Sequence, residues 1–372
     1  MRVTNRFTLA AAVSATGIVA AVGLIALATP AVAAQASFVG GFNTVSTVAS
    51  TVPGNGDLNP YGVAVVSHSQ GKLVAGDVLV SNFNNSANAQ GTGTTIVQVA
   101  PRGSVSQFAQ ISDASCPGGV GLTTALVVLR SGWVIVGSLP TADGTSATAK
   151  AGCLIVLNSH GKVAETIAGH GINGPWDMTA LDLGGIADLF VTNVLNGTVA
   201  ANGQVVNRGT VLRLVLVIAP GHAPRLAAAT TIGSGFAERT DPAALVIGPT
   251  GVGLGPNGTL YVADTLNNRV AAIGDAVFRH SSAGTGRTVS AGGAINAPLG
   301  LAIAPGGDIL TANGGDGNLV ETTPSGTQVA VKALDTSGSP PGAGALFGLA
   351  VKPCGTGVYF VDDDTNTLNL LK

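Results

Sequence analysis

The chain has little of what helices and charged surfaces are made from. Of its 372 residues only 10% are charged, and glutamate occurs only as Glu165, Glu238 and Glu321. Aromatic residues make up 4%, and there are two methionines and five histidines. Exposed helix faces are built mainly from charged, unbranched residues, so a largely helical fold is excluded as an expectation. No HxH, HExxH or paired-His spacing occurs, and neither a GxSxG elbow nor a P-loop is present. A zinc hydrolase, a nucleophile-elbow esterase and a nucleotide-phosphate cradle therefore lack their local signatures. Basic residues are also scarce. Seventeen Lys and Arg fall to fifteen once Arg2 and Arg6 are set aside with the leader, against nineteen acids, so nothing attracts a nucleic-acid backbone.

What is present is glycine, 54 of them, with 18 prolines and many short runs of Val, Thr and Ala between turn residues. That mixture suits many short strands. The first 34 residues read as an export signal: Arg2 and Arg6, an apolar stretch from about Leu9 to Ala28, then Pro30 and the small residues Ala31-Val32-Ala33. The apolar stretch is also long enough for the competing reading, an uncleaved N-terminal anchor. Residues 35–372 then form a single secreted domain, read as a monomer with no membrane contact beyond the leader.

One pattern recurs along this domain. LYVADTLNN from Leu260 has relatives in VLVSNFNN from Val78, VIVGSLPT from Val134, LFVTNVLN from Leu189, ILTANGGDGN from Ile309 and VYFVDDDTN from Val358. Each follows a short apolar strand, with aligned starts at Gly62, Ala125, Asp177, Gly251, Gly300 and Gly348. A third strand follows each copy, and a fourth is visible in the early ones. Four antiparallel strands repeated six times describe an all-β, six-bladed β-propeller. The last copy stops after its third strand, and NTVSTVAST (43–51) is unassigned. That segment is expected to supply the missing outer strand and close the ring.

The stretch GLGPNGTLYVADTLNNRVAAI (253–273) resembles an NHL repeat, and the spacing is similar to that of secreted NHL-type propellers. The resemblance implies the fold. It leaves function open, because propellers of this kind include protein-binding, RNA-binding and enzymatic members.

In this topology the turns between first and second strands share one face, expected to be short throughout. The loops from second to third strand and between blades share the other, and here they are long: SNFNNSANAQGTG, SLPTADGTSATAKAG, NVLNGTVAANGQVVNRG, and SGFAERTDP from Ser234. A binding site is expected there. Asn82, Ser138, Asn193, Asp264, Asn313 and Asp362 end the second strands on that face. They either cap their own loops or form a ring of oxygen ligands for Ca²⁺, another divalent cation, or sugar hydroxyls. Asp177 stands where the other blades have Gly or Ala, and Tyr61, Trp176 and Phe347 precede that position as core wedges or as an aromatic rim. Glu238, Arg239 and Asp241 form the densest charge cluster, a local ion pair or contact residues for a ligand. Among the histidines only His170 approaches this face. Cys116 and Cys153 are expected to pair across about 37 residues, leaving Cys354 free.

Two functions follow. The first is a non-enzymatic propeller binding an extracellular protein, glycan or small molecule on its long-loop face. The alternative resembles the gluconolactonase and streptogramin-lyase propellers: a metal-dependent hydrolase or lyase with Asp177, Asn193, Asp264, Asn313 and Asp362 as metal ligands and Asp177 or His170 as catalytic base.

Overall fold

In a computed structural model of the chain, residues 37–112 and 115–372 are described. The export signal expected over residues 1–34 lies outside them. Among the described residues no helix is long and apolar enough to cross a membrane. Six antiparallel sheets follow one another along the sequence. Their innermost strands are Leu58–Val65, Leu122–Val128, Gly174–Asp182, Pro249–Leu254, Pro298–Ile303 and Leu346–Val351. Each touches the next and the last touches the first, so the ring is closed around an axis. The architecture is a six-bladed propeller, with blades I to VI in chain order.

The second strands carry the repeat because they lie between neighbouring blades and are covered on both faces. Val78–Asn84, Leu260–Asp264 and Val358–Asp362 are buried at every position, and a strand covered on both sides reads as a continuous apolar run. Outer strands face water on one side. Gln328–Ala333 alternates between half-buried and exposed, and Val163–Ile167 is mostly exposed. Their sequences are correspondingly plain, and the outer strand of blade IV, Arg287–Ala291, has no distinctive pattern. Near the axis the strands crowd. A Cβ at Gly300 would lie 1.8 Å from the Phe347 carbonyl oxygen, and one at Gly348 would lie 2.2 Å from that of Tyr61.

Blade VI is completed from the opposite end of the chain. Val45–Ser50 pairs antiparallel with Thr367–Leu371, with Val45 opposite Leu371 and Ser50 opposite Thr367. Just before it, buried Glu321 of blade V accepts hydrogen bonds from the Ser37 hydroxyl at 2.6 Å and from the Phe38 and Val39 amides at 2.7 and 2.8 Å. Burial, and then the hydrogen bond and charge of Glu321 beside it, push the Asp308 carboxyl up to about 6. The sequence-derived closure of the ring agrees with this sheet.

Blade III departs from the repeat. Its third and fourth strands run Val206–Val217 and Arg225–Asp241, and Leu245–Ile247 adds a fifth. The segment from Ser234, expected as a loop, is therefore mostly strand, because Ser234 to Glu238 pair with Thr210 to Val206 across it. The loop expected after Thr192 shrinks likewise around the short helix Thr198–Ala201. One turn on the other face is longer than expected. In blade I residues 66–77 fold into a small hairpin with Gln70 paired to Leu73, whose side chain is buried.

The cysteines pair as expected. Cys116 and Cys153 form a disulfide with Cα atoms 5.9 Å apart, and Cys354 is free and exposed.

Candidate functional site

Three aromatic side chains occupy matched positions on the inner strands and meet at the axis. Tyr61 stacks on Phe347 with centroids 3.9 Å apart and on Phe83 at 4.5 Å, while Trp176 lies 6.3 Å from Phe347. All four rings are buried. The Trp176 indole N–H donates to the Val246 carbonyl at 3.1 Å. That bond ties the strand Leu245–Ile247 to the stack, and Ala244 to Ile247 belong to the same apolar cluster as the rings. The axis is thus divided into a long-loop end and a short-turn end.

At the long-loop end a pocket of about 420 Å³ lies beside the stack. Phe347, Leu299 and Ile247 provide apolar lining, and Arg239, Asp241, Asp363 and Asp364 bring charge. Arg239 and Asp241 form an ion pair at 3.0 Å, and Asp241 Oδ1 also accepts from the Ala243 and Ala244 amides. The Arg239 side chain is 39% exposed, so the pair leaves part of it open to a ligand. Burial, reinforced by the neighbouring charges of Asp364 and Asp362, pushes the Asp363 carboxyl up to about 7. With the Asn59 amide oriented to satisfy both its neighbours, its nitrogen donates to Asp363 at 2.6 and 3.1 Å and its oxygen accepts from Asn84. Burial raises the Tyr61 phenol well above its ordinary value, and the Asp363 charge adds to this. A carboxyl that changes state near neutral pH can move a proton, and an arginine lining the same pocket can hold a developing negative charge.

Each of the six strand-end residues has a partner nearby, although the buried amide oxygens of Asn82 and Asn313 have none. Asn82 donates to the Thr51 carbonyl, Ser138 bridges Gly119 and Gly121, and Asn193 accepts from Asn173 and Gly174. Asp264 pairs with Arg269 at 2.7 Å, Asn313 donates to Ala294 and Asp316, and Asp362 accepts from Thr365. Buried Glu238 accepts from Asn196, which fastens the loop of its own blade, and burial raises it to about 7. His170 is exposed in the turn that pairs Gly169 with Ile172. Of the residues singled out in the sequence, Arg239, Asp241 and Phe347 line the long-loop pocket, and Tyr61 and Trp176 lie in the stack beneath it. Asp363 and Asp364 were missed. Their signal is the run VDDDTN, three carboxylates where the other copies have one polar residue at the strand end.

Asp177 lies at the other end of the axis. There a channel of about 550 Å³ is walled by the inner strands of all the blades, and Ser67, Arg130 and Asp182 at their ends mark its mouth on the short-turn face. The buried Asp177 carboxylate accepts from the Met178 amide at 2.8 Å and, across the blade boundary, from the Val252 amide at 3.1 Å. Burial outweighs these two bonds and raises the group to about 8.

The divalent-cation reading was tested on its donor set. Among the described residues no three His, Cys, Asp or Glu side chains are grouped to hold a metal ion. Asp177 lines the short-turn channel, whereas Asn193, Asp264, Asn313 and Asp362 are engaged in separate loops of the other face. These residues do not fit one metal centre.

No protein-family model matches the chain, and no curated protein matches it in sequence. Solved structures match its fold. A gluconolactonase from Xanthomonas campestris superposes with a TM-score of 0.54 at 12% identity, covering 88% of each chain. Virginiamycin B lyase from Staphylococcus aureus, solved with quinupristin, gives 0.52 at 13% identity over 88% of this chain and 99% of its own. The PQQ-bound aldose sugar dehydrogenase of Streptomyces coelicolor gives 0.51 at 17% identity over 88% and 97%. At such identities the likeness is one of fold.

Proposed function

We propose that the protein is an enzyme acting on a small, oxygen-rich molecule in the long-loop pocket, a hydrolase or lyase in which Asp363 moves the proton. One observation carries this reading: Arg239, Asp241, Asp363 and Asp364 line a single pocket with Phe347 beside them. In the hydrolytic case a water delivers its proton to ionised Asp363 as it attacks an ester or lactone carbonyl. The Arg239 guanidinium stabilises the resulting oxyanion, Asp241 holds the guanidinium in place, and collapse of the oxyanion breaks the acyl C–O bond as Asp363 returns the proton to the leaving alkoxide. The structural neighbours, a gluconolactonase, a virginiamycin B lyase and an aldose sugar dehydrogenase, lend support as enzymes of small molecules. No step is assigned to a metal.

The test is proton release from a panel of small lactones and esters, followed against pH. Ionised Asp363 is the working form, so turnover should rise through about pH 7 and level off above it. Asp363→Asn should lower it by about 100-fold or more while leaving the melting temperature close to that of the parent. A flat pH profile, or full turnover in the variant, would remove Asp363 from the reaction.

The second reading is the non-enzymatic one, a propeller that binds a protein, glycan or small ligand on this face. It is favoured by the partly exposed Arg239 side chain at the pocket, which can hold a ligand's oxygen without any reaction. Ligand-induced stabilisation lost in Arg239→Ala, with no turnover of any panel member, would select it.

A further inference from the structure

The short-turn channel has a feature that propeller packing does not require. At the position of Asp177 the other blades have Gly62, Ala125, Gly251, Gly300 and Gly348, which suffice to bring inner strands together. Blade III places a carboxylate there instead. Each of its oxygens accepts one backbone N–H, so each retains a further lone pair. A second polar group is found in blade II, one residue before the position aligned with Asp177. Thr124 is 4% exposed, lines the channel, and its hydroxyl has no hydrogen-bond partner. Buried polar groups are ordinarily paired, so an unpaired hydroxyl and a buried carboxyl that line one channel mark a place where a ligand's polar end would be held. The walls between this floor and the mouth carry Val63, Leu126, Val252, Leu301 and Leu349. Of all the lining side chains only Asp177 and, at the mouth, Arg130 and Asp182 are ionisable, and Asp182 accepts the Arg130 amide at 2.6 Å.

We propose that this channel is a second binding site, separate from the long-loop pocket, for an elongated apolar molecule ending in a primary amine. The ammonium donates to Asp177 and to Thr124 while the alkyl part lies along the walls. An ammonium has three donors and no acceptor, which complements a carboxylate with free lone pairs and an acceptor hydroxyl. A buried carboxylate is costly unless a cation pairs with it, so the amine supplies what the empty channel lacks.

This pairing has a proton signature. The empty site holds Asp177 protonated up to about pH 8, whereas the complex needs it ionised. Binding therefore expels a proton below that pH. The apparent affinity for an amine should climb about tenfold per pH unit from 6 to 8 and flatten above. A neutral head group gives no such climb.

The test is calorimetry with n-hexylamine and n-hexanol as probes. At pH 8 the amine is expected to bind at least tenfold more tightly than the alcohol. Titrations at pH 6.5 in two buffers of different ionisation enthalpy should show about one proton released per amine bound, a readout that needs no variant. Asp177→Asn should abolish the preference for amine, Thr124→Val should weaken it several-fold, and Asp363→Asn, at the far end of the axis, should leave it unchanged. Equal affinity for the two probes, no proton release, or no binding at millimolar amine would overturn the proposal. So would amine binding that survives Asp177→Asn and disappears in Asp363→Asn.

Discussion

Blades I, II, IV and V each use one contiguous stretch of four strands, whereas blades III and VI break that rule in opposite ways. Blade III is overgrown, with strands of 12 and 17 residues and a fifth strand folded back towards the axis. Blade VI is short of chain and borrows Val45–Ser50 from the other terminus. The charged side chains of the long-loop pocket come from these two: Arg239 and Asp241 from blade III, Asp363 and Asp364 from blade VI. The regular blades hold the frame, and the irregular ones bring the chemistry to it. Loops and departures from repetition are where a rigid scaffold can accept functional groups without losing its packing.

The strongest test of this contrast removes the borrowed strand. Without residues 37–50, blade VI loses its outer strand and Glu321 is left buried without the three donors that now satisfy it. An unpaired edge and an orphaned buried carboxylate act together. The truncated chain should show no cooperative thermal transition by circular dichroism. A transition near the parent's temperature would mean that five blades and three strands suffice, and the comparison between blades would fail.

A smaller effect is expected where blade III folds over the axis. Trp176→Ala removes a buried ring from the stack and the donor to Val246, and large aromatic truncations in cores cost about 3–5 kcal/mol. Because the bond holds Leu245–Ile247 in place, the variant should also expose this segment to amide hydrogen exchange while blades I and V keep their protection. Uniform loss of protection throughout the molecule would show that blade III is no more separable than the rest.

The same contrast explains what could be read in the sequence. The blade count, the second strands and the closing strand were legible because burial on two faces forces the runs seen at Val78, Leu260 and Val358, and because the last copy stops one strand short. The disulfide was legible from the side of the repeat on which Cys116 and Cys153 fall. Blade III was misjudged where Ser234 to Asp241 looked like a polar loop, since its charged residues are met by local partners, Glu238 by Asn196 and Arg239 by Asp241, that the pattern does not reveal. Position along the repeat picked out the strand-end residues, but it cannot say that Asn193 turns to Asn173 or Asp264 to Arg269 rather than to the axis. Asp363 escaped notice because its surroundings, the Asn59 amide and the pocket it shares with Arg239, come from distant parts of the chain. Asp177 drew attention by breaking a row of small residues, although the channel it lines opens on the face opposite the long loops.

The mildest test falls on a regular blade. Cys116 and Cys153 staple blade II across a separation of 37 residues, and their sulfurs are buried among the apolar side chains of that region. A cross-link of this span stabilises by about 2–4 kcal/mol, in the chain-entropy account by restricting the unfolded chain. Reduction of the native protein should therefore lower the denaturant midpoint, and steepen the slope as the freed unfolded chain expands, without changing the behaviour of the long-loop pocket, to which blade II contributes no charged group. A thiol-specific label should reach exposed Cys354 before reduction and all three cysteines only after reduction and unfolding. If reduction alone abolished ligand binding at the long-loop pocket, blade II would be part of the working site, and the division between frame and chemistry would have to be redrawn.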